Sequence, residues 1–521
     1  MNGKINYPLL VSIVFLLCLM LTIIINILVL NDGLFVFTLD DPYIHMALAE
    51  NIKLGHYGIN VNEFSAPSSS ILWPFIITPL SSTPYGVLVI NLCSTLFSVY
   101  IFSKILNLTV YIKYDYIRSI FFSIIIISFI LATNMVGLVF TGMEHSLQLL
   151  IVLLIIYGLL IEIEKNEVKF WWLAAIVVAP LIRYECMAIS LAAIIYLVMC
   201  RRFNIANITL LLTVLFIGSF SVFLISLGLD AFPSSVVAKS PIVQSGGAWT
   251  HIFSNLEASI NNRQGTILFI GALSILSYLC WFKDIKKKKL ALVALIAVLL
   301  HFIAGRYGWY NRYEIYILAF EITVNIYLFL PLIAKEISKL NRLDLTLFKV
   351  LIFVGGIFMA VGAPYIYGLS TIHIASNNIY EQQYQMHRFA VDFYNKPIAV
   401  NDLGYVSYNN NNYVLDLWGL GSLKALNSRL NPDYLNWKQD LINTANVNLV
   451  MIYDEWFNDI PSEWIKIGEL HLGKKKITPA YSEVSFYVTN QESYQGILEK
   501  IVLFTKTLPN EVYFQFSEMS N

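Results

Sequence analysis

The chain alternates long apolar runs with short polar breaks. Residues 8–30 form an apolar run of 23 behind a single cation, Lys4. Further runs lie near 85–106, 117–133, 146–163, 170–183, 186–200, 206–228, 266–282, 289–304, 314–332 and 347–368. Each predicts a helix, because a segment inside a bilayer must close its own backbone hydrogen bonds. A straight span needs about 20 residues; several runs are shorter, a length tolerated where helices line a water-filled cavity. Residues 71–80 are too short to cross and read as a juxtamembrane or re-entrant helix. The first run exceeds the roughly 7–15 apolar residues of a cleaved signal and lacks a small-residue cleavage site, so it reads as a permanent span. Past residue 368 the pattern changes. Short apolar stretches ("PIAV", "YVLDLWGL", "NVNLVMIYD", "VSFYV") interleave with a helical segment at 379–394, which predicts a small α/β domain.

Composition agrees with the pattern. Of 521 residues, 57% are hydrophobic and 13% charged, against about 25% charged in soluble domains. The mean hydropathy is +0.65. Basic and acidic residues balance at 34 each, and no basic face for nucleic acid is visible. The five cysteines stand in or beside apolar runs with no CxxC spacing, which suggests neither a disulfide framework nor a zinc site.

Cations set the expected orientation. Lys104, Lys113 and Arg118, then Lys165 and Lys169, Arg201 and Arg202, "KDIKKKK" at 283–289, and Lys335, Lys339, Arg342 and Lys349 mark five breaks. All five fall on one side if there are eleven spans. The positive-inside rule then puts the N-terminus inside, and the first loop and the tail outside. The expected organisation is a transmembrane module over 1–368, with an external loop at 31–70, and an extracytoplasmic domain over 369–521.

The outer breaks carry the chemistry. The first loop holds Asp40, Asp41, His45, Glu50, His56 and Glu63; "TGMEHS" holds Glu144 and His145; "IRYE" holds Arg183; "AFPSSVVAKS" holds Lys239; "GRYGWYNRYE" holds Arg306, Trp309 and Arg312. Ionisable groups at the outer ends of so many runs suggest one polar cavity. Structural roles compete at each position. Asp41 before Pro42 is a good helix start, with Asp as cap and Pro at the first position, opening a surface helix over "PYIHMALAEN". Glu144 also suits a plain interfacial residue. Arg183 and Arg312 also suit snorkelling cations, but cations on the outer side run against the inside bias. His45, His56 and His145 lack the HxxxH or HxH spacing of a metal site.

"LDDPYIHMALAENIKLGHYGINVNEFSAPSSSILWP" resembles the first loop of GT-C glycosyltransferases, closest to the bacterial arabinofuranosyl- and mannosyltransferase-like branch. Asp40, Asp41, Tyr43, Ile44, Asn51, Gly55 and Trp73 fill that branch's pattern, with Gly58 one position off and the proline displaced to Pro67. "TGMEHSLQLL", "LIRYECMAIS", "AFPSSVVAKS", "GRYGWYNRYEIYILA" and "PIAVNDLGYVSYNNNNYVLDLWGLGS" resemble its later blocks in order, the last with its Val-Gly-Asp-x-Gly pattern.

The resemblance implies a polytopic α-helical membrane protein of about eleven spans, GT-C-like, with a small C-terminal α/β domain outside a bacterial plasma membrane. It implies transfer of a sugar from a polyprenyl phosphate to a glycan, lipid or protein of the cell envelope, without nucleic acid. A divalent metal stays open. Asp41, or Asp40, is expected to be the general base, with Glu144 orienting the acceptor or tuning the aspartate. Arg183, Lys239 and Arg312 are expected to converge on the phosphate, with Tyr43, Trp309 and Tyr310 offering faces to the sugar ring and His45 a further substrate-binding residue. The alternative is a multi-span transporter or flippase of lipid-linked sugars; that class places its site near the midplane of repeated helices, and no repeat is seen.

Overall fold

The computed structural model describes residues 6–238, 248–338, 345–457 and 459–518. The chain divides into two compact units. One comprises Met1–Thr22, Leu88–Ser219 and Gln244–Ser370; the other comprises Ile23–Val87, Phe220–Val243 and Thr371–Asn521. The first loop therefore belongs with the tail, not with the helical module of its neighbours in sequence.

Each of the eleven apolar runs forms one helix: Tyr7–Leu30, Pro84–Thr109, Asp115–Ala132, His145–Lys165, Phe170–Ile182, Met187–Met199, Phe203–Ser226, Arg263–Trp281, Ile285–Ala304, Ile315–Ile337 and Leu345–Leu369. Among the described residues, eight helices are long and apolar enough to cross a membrane. Phe170–Ile182 and Met187–Met199 have 13 residues each and are too short to do so straight. Ile285–Ala304 opens on four lysines, and Asp284 accepts from the backbone N–H groups of Lys286 and Lys287 at its start. In the first unit Leu345–Leu369 packs against Asp115–Ala132, and Arg263–Trp281 packs against both Ile285–Ala304 and Ile315–Ile337.

In the second unit a six-stranded sheet has the order β2-β1-β3-β5-β4-β6, with β1 Ile398–Val400, β2 Val414–Asp416, β3 Leu449–Ile452, β4 Ile465–His471, β5 Glu483–Val488 and β6 Tyr513–Phe516. β2, β1 and β3 are parallel; β3, β5, β4 and β6 are antiparallel. The parallel strands are buried throughout, as expected of strands covered on both faces. Ala399, Leu415 and Val450 pack with Trp437 and Leu441 in the core.

The first loop is built onto this sheet. The side-chain amide of Asn60 donates to the carbonyl of Val414 and accepts from its N–H, both at 2.9 Å, which covers the β2 edge. Glu63 accepts from Tyr413 Oη at 2.8 Å and Ser422 Oγ at 2.6 Å. Tyr408 Oη donates to the Ser81 carbonyl at 3.1 Å, and Glu50 accepts from the Asn409 N–H at 3.1 Å. Residues 71–80 form the short helices Trp73–Ile77 and Thr78–Leu80.

At the end of β2 the buried Asp416 carboxylate accepts from the N–H groups of Trp418 and Gly421 at 2.8 and 2.7 Å. Burial outweighs these donors and pushes its pKa up to about 6. A folded-state pKa above the unfolded value adds stability below the unfolded pKa and loses it as pH rises through the folded one. From pH 4 to above 6 this group should therefore withdraw about 3 kcal/mol. We expect the melting temperature of the sheet to fall over that range in detergent. The fall should be shallower in Asp416→Asn, whatever that variant's absolute stability. Parallel slopes for variant and wild type would show that Asp416 does not titrate there.

Candidate active site

The paired aspartates open the helix Asp41–Lys53. Its Pro42 stands at the start, where a missing N–H costs nothing. The cap arrangement differs from the expected one. Asp40, not Asp41, occupies the cap position. Its φ of −78° and ψ of −34° are already helical, and its side chain caps nothing. The expected surface helix is instead buried from Pro42 to Ala49.

The Asp40 carboxylate turns away to the tail. Its Oδ2 accepts from Gly404 N and its Oδ1 from Tyr405 N, each at 2.7 Å. Successive backbone donors thus fill both oxygens with charge-assisted hydrogen bonds. Gly404 is required by this approach: a Cβ there would lie 2.2 Å from the Asp40 carbonyl oxygen and 2.4 Å from Oδ2.

Asp402 joins the pair. It follows β1, and Tyr453 follows β3, so both stand at the carboxyl ends of adjacent parallel strands, where open α/β sheets bind their ligands. Asp402 Oδ2 accepts from Gln383 Nε2 at 2.7 Å and from Tyr453 Oη at 3.0 Å. The single proton of Tyr453 Oη is shared between Asp402 and Gln382 Oε1, which lies at 2.6 Å. Burial, then the charge of Asp402 and more weakly that of Asp41, hold the Asp40 pKa well above the ordinary carboxylate range, against the pull of the two backbone donors. Burial likewise raises Asp402, with Asp41 adding to the rise and the hydrogen bonds from Gln383 and Tyr453 opposing it. Three carboxylates in one another's field resist simultaneous ionisation. Asp402, Gln383, Gly404 and Tyr453 were not among the expected site residues, although "NDLGY" carried Asp402 and Gly404 in its resemblance to the tail pattern.

Tyr43 and His45 lie on the buried side of the same helix. The Tyr43 ring packs 4.0 Å from that of Tyr405, its hydroxyl accepts from the Phe37 N–H at 3.0 Å, and it is fully enclosed. That enclosure suits it to holding the helix against the tail rather than to offering a ring face to a sugar.

Glu144, Arg183, Trp309 and Arg312 belong to the first unit. Arg183 Nη1 donates to Glu144 Oε1 at 2.8 Å, while Nε and Nη2 bind both oxygens of Glu185 at 3.1 and 2.6 Å. Arg183 and Arg312 lie over one ring, that of Tyr313, at 5.5 and 5.3 Å. Two members of the expected phosphate cradle are thus brought together; Lys239 lies outside the described residues. With two carboxylates on its guanidinium, Arg183 suits the ordering of this cluster better than the binding of an anion.

The loop before Arg312 is strained. Gly308, Trp309, Tyr310 and Asn311 are successively left-handed, with φ of 75°, 46°, 62° and 57°. Three of them carry side chains, at a cost of about 1–2 kcal/mol each. Glu314 Oε2 accepts from the Gly308 N–H at 2.9 Å and Asn134 Nδ2 donates to the Asn311 carbonyl at 2.8 Å. The turn exposes Trp309. Strain of this kind collects at functional sites. Among the described residues no group of three or more His, Cys, Asp or Glu is arranged to hold a metal ion.

The family model described as a domain of unknown function (DUF8728) matches residues 377–487, the stretch that holds Gln383, Asp402, Gly404 and Tyr453. A search of curated proteins finds none that matches the chain.

Proposed function

We propose that this chain is an integral-membrane glycosyltransferase of the GT-C type, with eleven spans and its tail outside, that moves a sugar from a polyprenyl phosphate to a cell-envelope acceptor. The observation that carries this reading is the paired aspartate at the start of Asp41–Lys53. Its first member is committed to the Gly404 and Tyr405 N–H groups, and its second stands partly exposed on the helix's first turn. In this reading Asp41 takes the proton of the acceptor hydroxyl. The acceptor oxygen forms its bond to the anomeric carbon as the bond from that carbon to the phosphate oxygen breaks, and the polyprenyl phosphate leaves with the electron pair. A base positioned in this way contributes about 10²–10⁴-fold. In the other unit, Arg312 is assigned to phosphate, whose planar fork matches two phosphate oxygens at once, with Glu144 and Glu185 ordering Arg183 beside it.

The test is transfer of label from radiolabelled polyprenyl-phospho-sugars in membranes carrying the protein. Label that stays on its lipid across all donors, while the lipid changes leaflet, would make the chain a transporter. Arg312→Lys keeps the charge and loses the fork; we expect transfer to fall about tenfold at unchanged expression, and an unaltered rate would remove Arg312 from phosphate binding. For topology, a reporter fused after Asn521 should read outside the cell, and a cytoplasmic signal would overturn the eleven-span arrangement.

A further inference from the structure

Within the first unit, a cavity of about 620 Å³ opens among the helices Arg263–Trp281, Ile315–Ile337 and Leu345–Leu369. That size is ordinary for a small-molecule site, which runs about 300–1,000 Å³. Its walls are mostly apolar, and the large apolar lining residues Ile270, Phe353 and Ile357 are themselves exposed. The mouth therefore lies on the outer flank of three helices long and apolar enough to span a bilayer, where a hydrocarbon chain is the neighbouring solvent.

One charged side chain in this cavity is buried. Glu321 lines it, is 2% exposed, and its Oε1 has no hydrogen-bond partner. Its carboxylate lies against the backbone of the facing helix: a Cβ on Gly271 would come within 2.4 Å of Oε2. Other polar groups of the lining make hydrogen bonds within the protein. Ser274 Oγ donates to Asn325 Oδ1, and Asn325 Nδ2 donates to the Glu321 carbonyl at 3.1 Å. Arg263 Nη2 donates to the Ala360 carbonyl at 3.1 Å. A buried carboxyl with an open oxygen is costly unless something fills it, and ionisable groups inside spans mark ligand sites by default.

We infer that this cavity binds one long-chain lipid alcohol, its hydroxyl on Glu321 and its chain along the apolar groove. A hydroxyl both donates and accepts, so it satisfies the carboxyl in either protonation state and adds no charge at that depth. An ammonium or phosphate would bring a charge into the span. From Glu321 to Ile333, at the far end of the lining, the helix rises about 18 Å, room for an extended chain. This inference is independent of the glycosyltransferase reading, because it rests on a cavity that the proposed transfer does not use.

The probe is hexadecanol carrying a chain diazirine, with its methyl ether as control, crosslinked to the full chain in lipid nanodiscs and mapped by peptide mass spectrometry. We expect the alcohol to label peptides of the three helices at least about tenfold more than the ether, a preference worth about 1.4 kcal/mol. Glu321→Leu should abolish the preference, and Ile357→Trp, which fills the mouth from an exposed position, should reduce labelling by both probes. Equal labelling by alcohol and ether in the wild type would overturn the inference without recourse to any variant. Displacement of the probe by a polyprenyl phosphate but not by the free polyprenol would also overturn it, by making the occupant an anionic lipid.

Discussion

Asp41→Asn is expected to lower sugar transfer by at least about 10²-fold while the protein stays folded. The two effects are expected to separate because Asn keeps the size and one acceptor oxygen of Asp but cannot take up a proton as a base. Asp41 stands inside the first turn rather than at the cap, and losing one negative charge near a helix N-terminus costs about 0.3–1 kcal/mol. Part of that is returned, since the Asp41 charge helps to hold both Asp40 and Asp402 above their ordinary pKa; its removal lets the pair ionise more easily. Asp40→Asn should behave in the opposite sense. An amide keeps one acceptor and turns an NH₂ group toward a backbone N–H, so one of the two 2.7 Å bonds is lost. The resulting unsatisfied donor makes stability suffer more than in Asp41→Asn. Measuring transfer rate and melting temperature for both variants decides the matter. If Asp41→Asn transfers sugar near the wild-type rate, the base assignment fails. If Asp40→Asn alone is inactive at full stability, the base is Asp40 and its two backbone donors are catalytic rather than structural.

The helices were legible because an apolar run of some twenty residues has few alternatives to a helix. All eleven runs became helices, and even the short break at 71–80 formed a helical turn. The tail was legible only in part. Buried parallel strands such as "IAV" and "LVMI" announce themselves by composition. β4, by contrast, carries a bulge between Lys466 and Gly468, which breaks the alternation that marks a strand. β6 is an edge strand with one buried position. The site was the least legible. Asp40 and Gly404 are 364 residues apart, and no local periodicity encodes such a contact. Asp41 before Pro42 gave the better local cap; the structure puts Asp40 in that position, its side chain bound to Gly404 N and Tyr405 N. Arg183 shows the same limit: its position beside Glu185 in "IRYE" was visible, but its ion pair with Glu144 is made by the fold.

That long-range contact yields the second large prediction. Gly404→Ala adds one methyl group, far in sequence from the proposed chemistry, yet we expect it to cost about 10²-fold in transfer. The methyl cannot be absorbed by rotating a flexible side chain. Its nearest neighbour would be the Asp40 backbone carbonyl at 2.2 Å, with the carboxylate at 2.4 Å, so the start of Asp41–Lys53 or the segment after β1 has to move. Misplacement of a reacting group by about 1 Å is enough for a loss of that order. Folding should survive, because the first loop keeps its other attachments to the tail: Asn60 on Val414, Glu63 on Tyr413 and Ser422, and Tyr43 against Tyr405. Donor binding by membranes of the variant, measured beside transfer, separates a displaced base from a lost substrate site: KM should hold while kcat falls. Asp41→Asn and Gly404→Ala combined should then be no slower than Asp41→Asn alone, since the methyl would displace a base already absent. A double variant slower than either single one would mean that Gly404 supports something other than the position of Asp41.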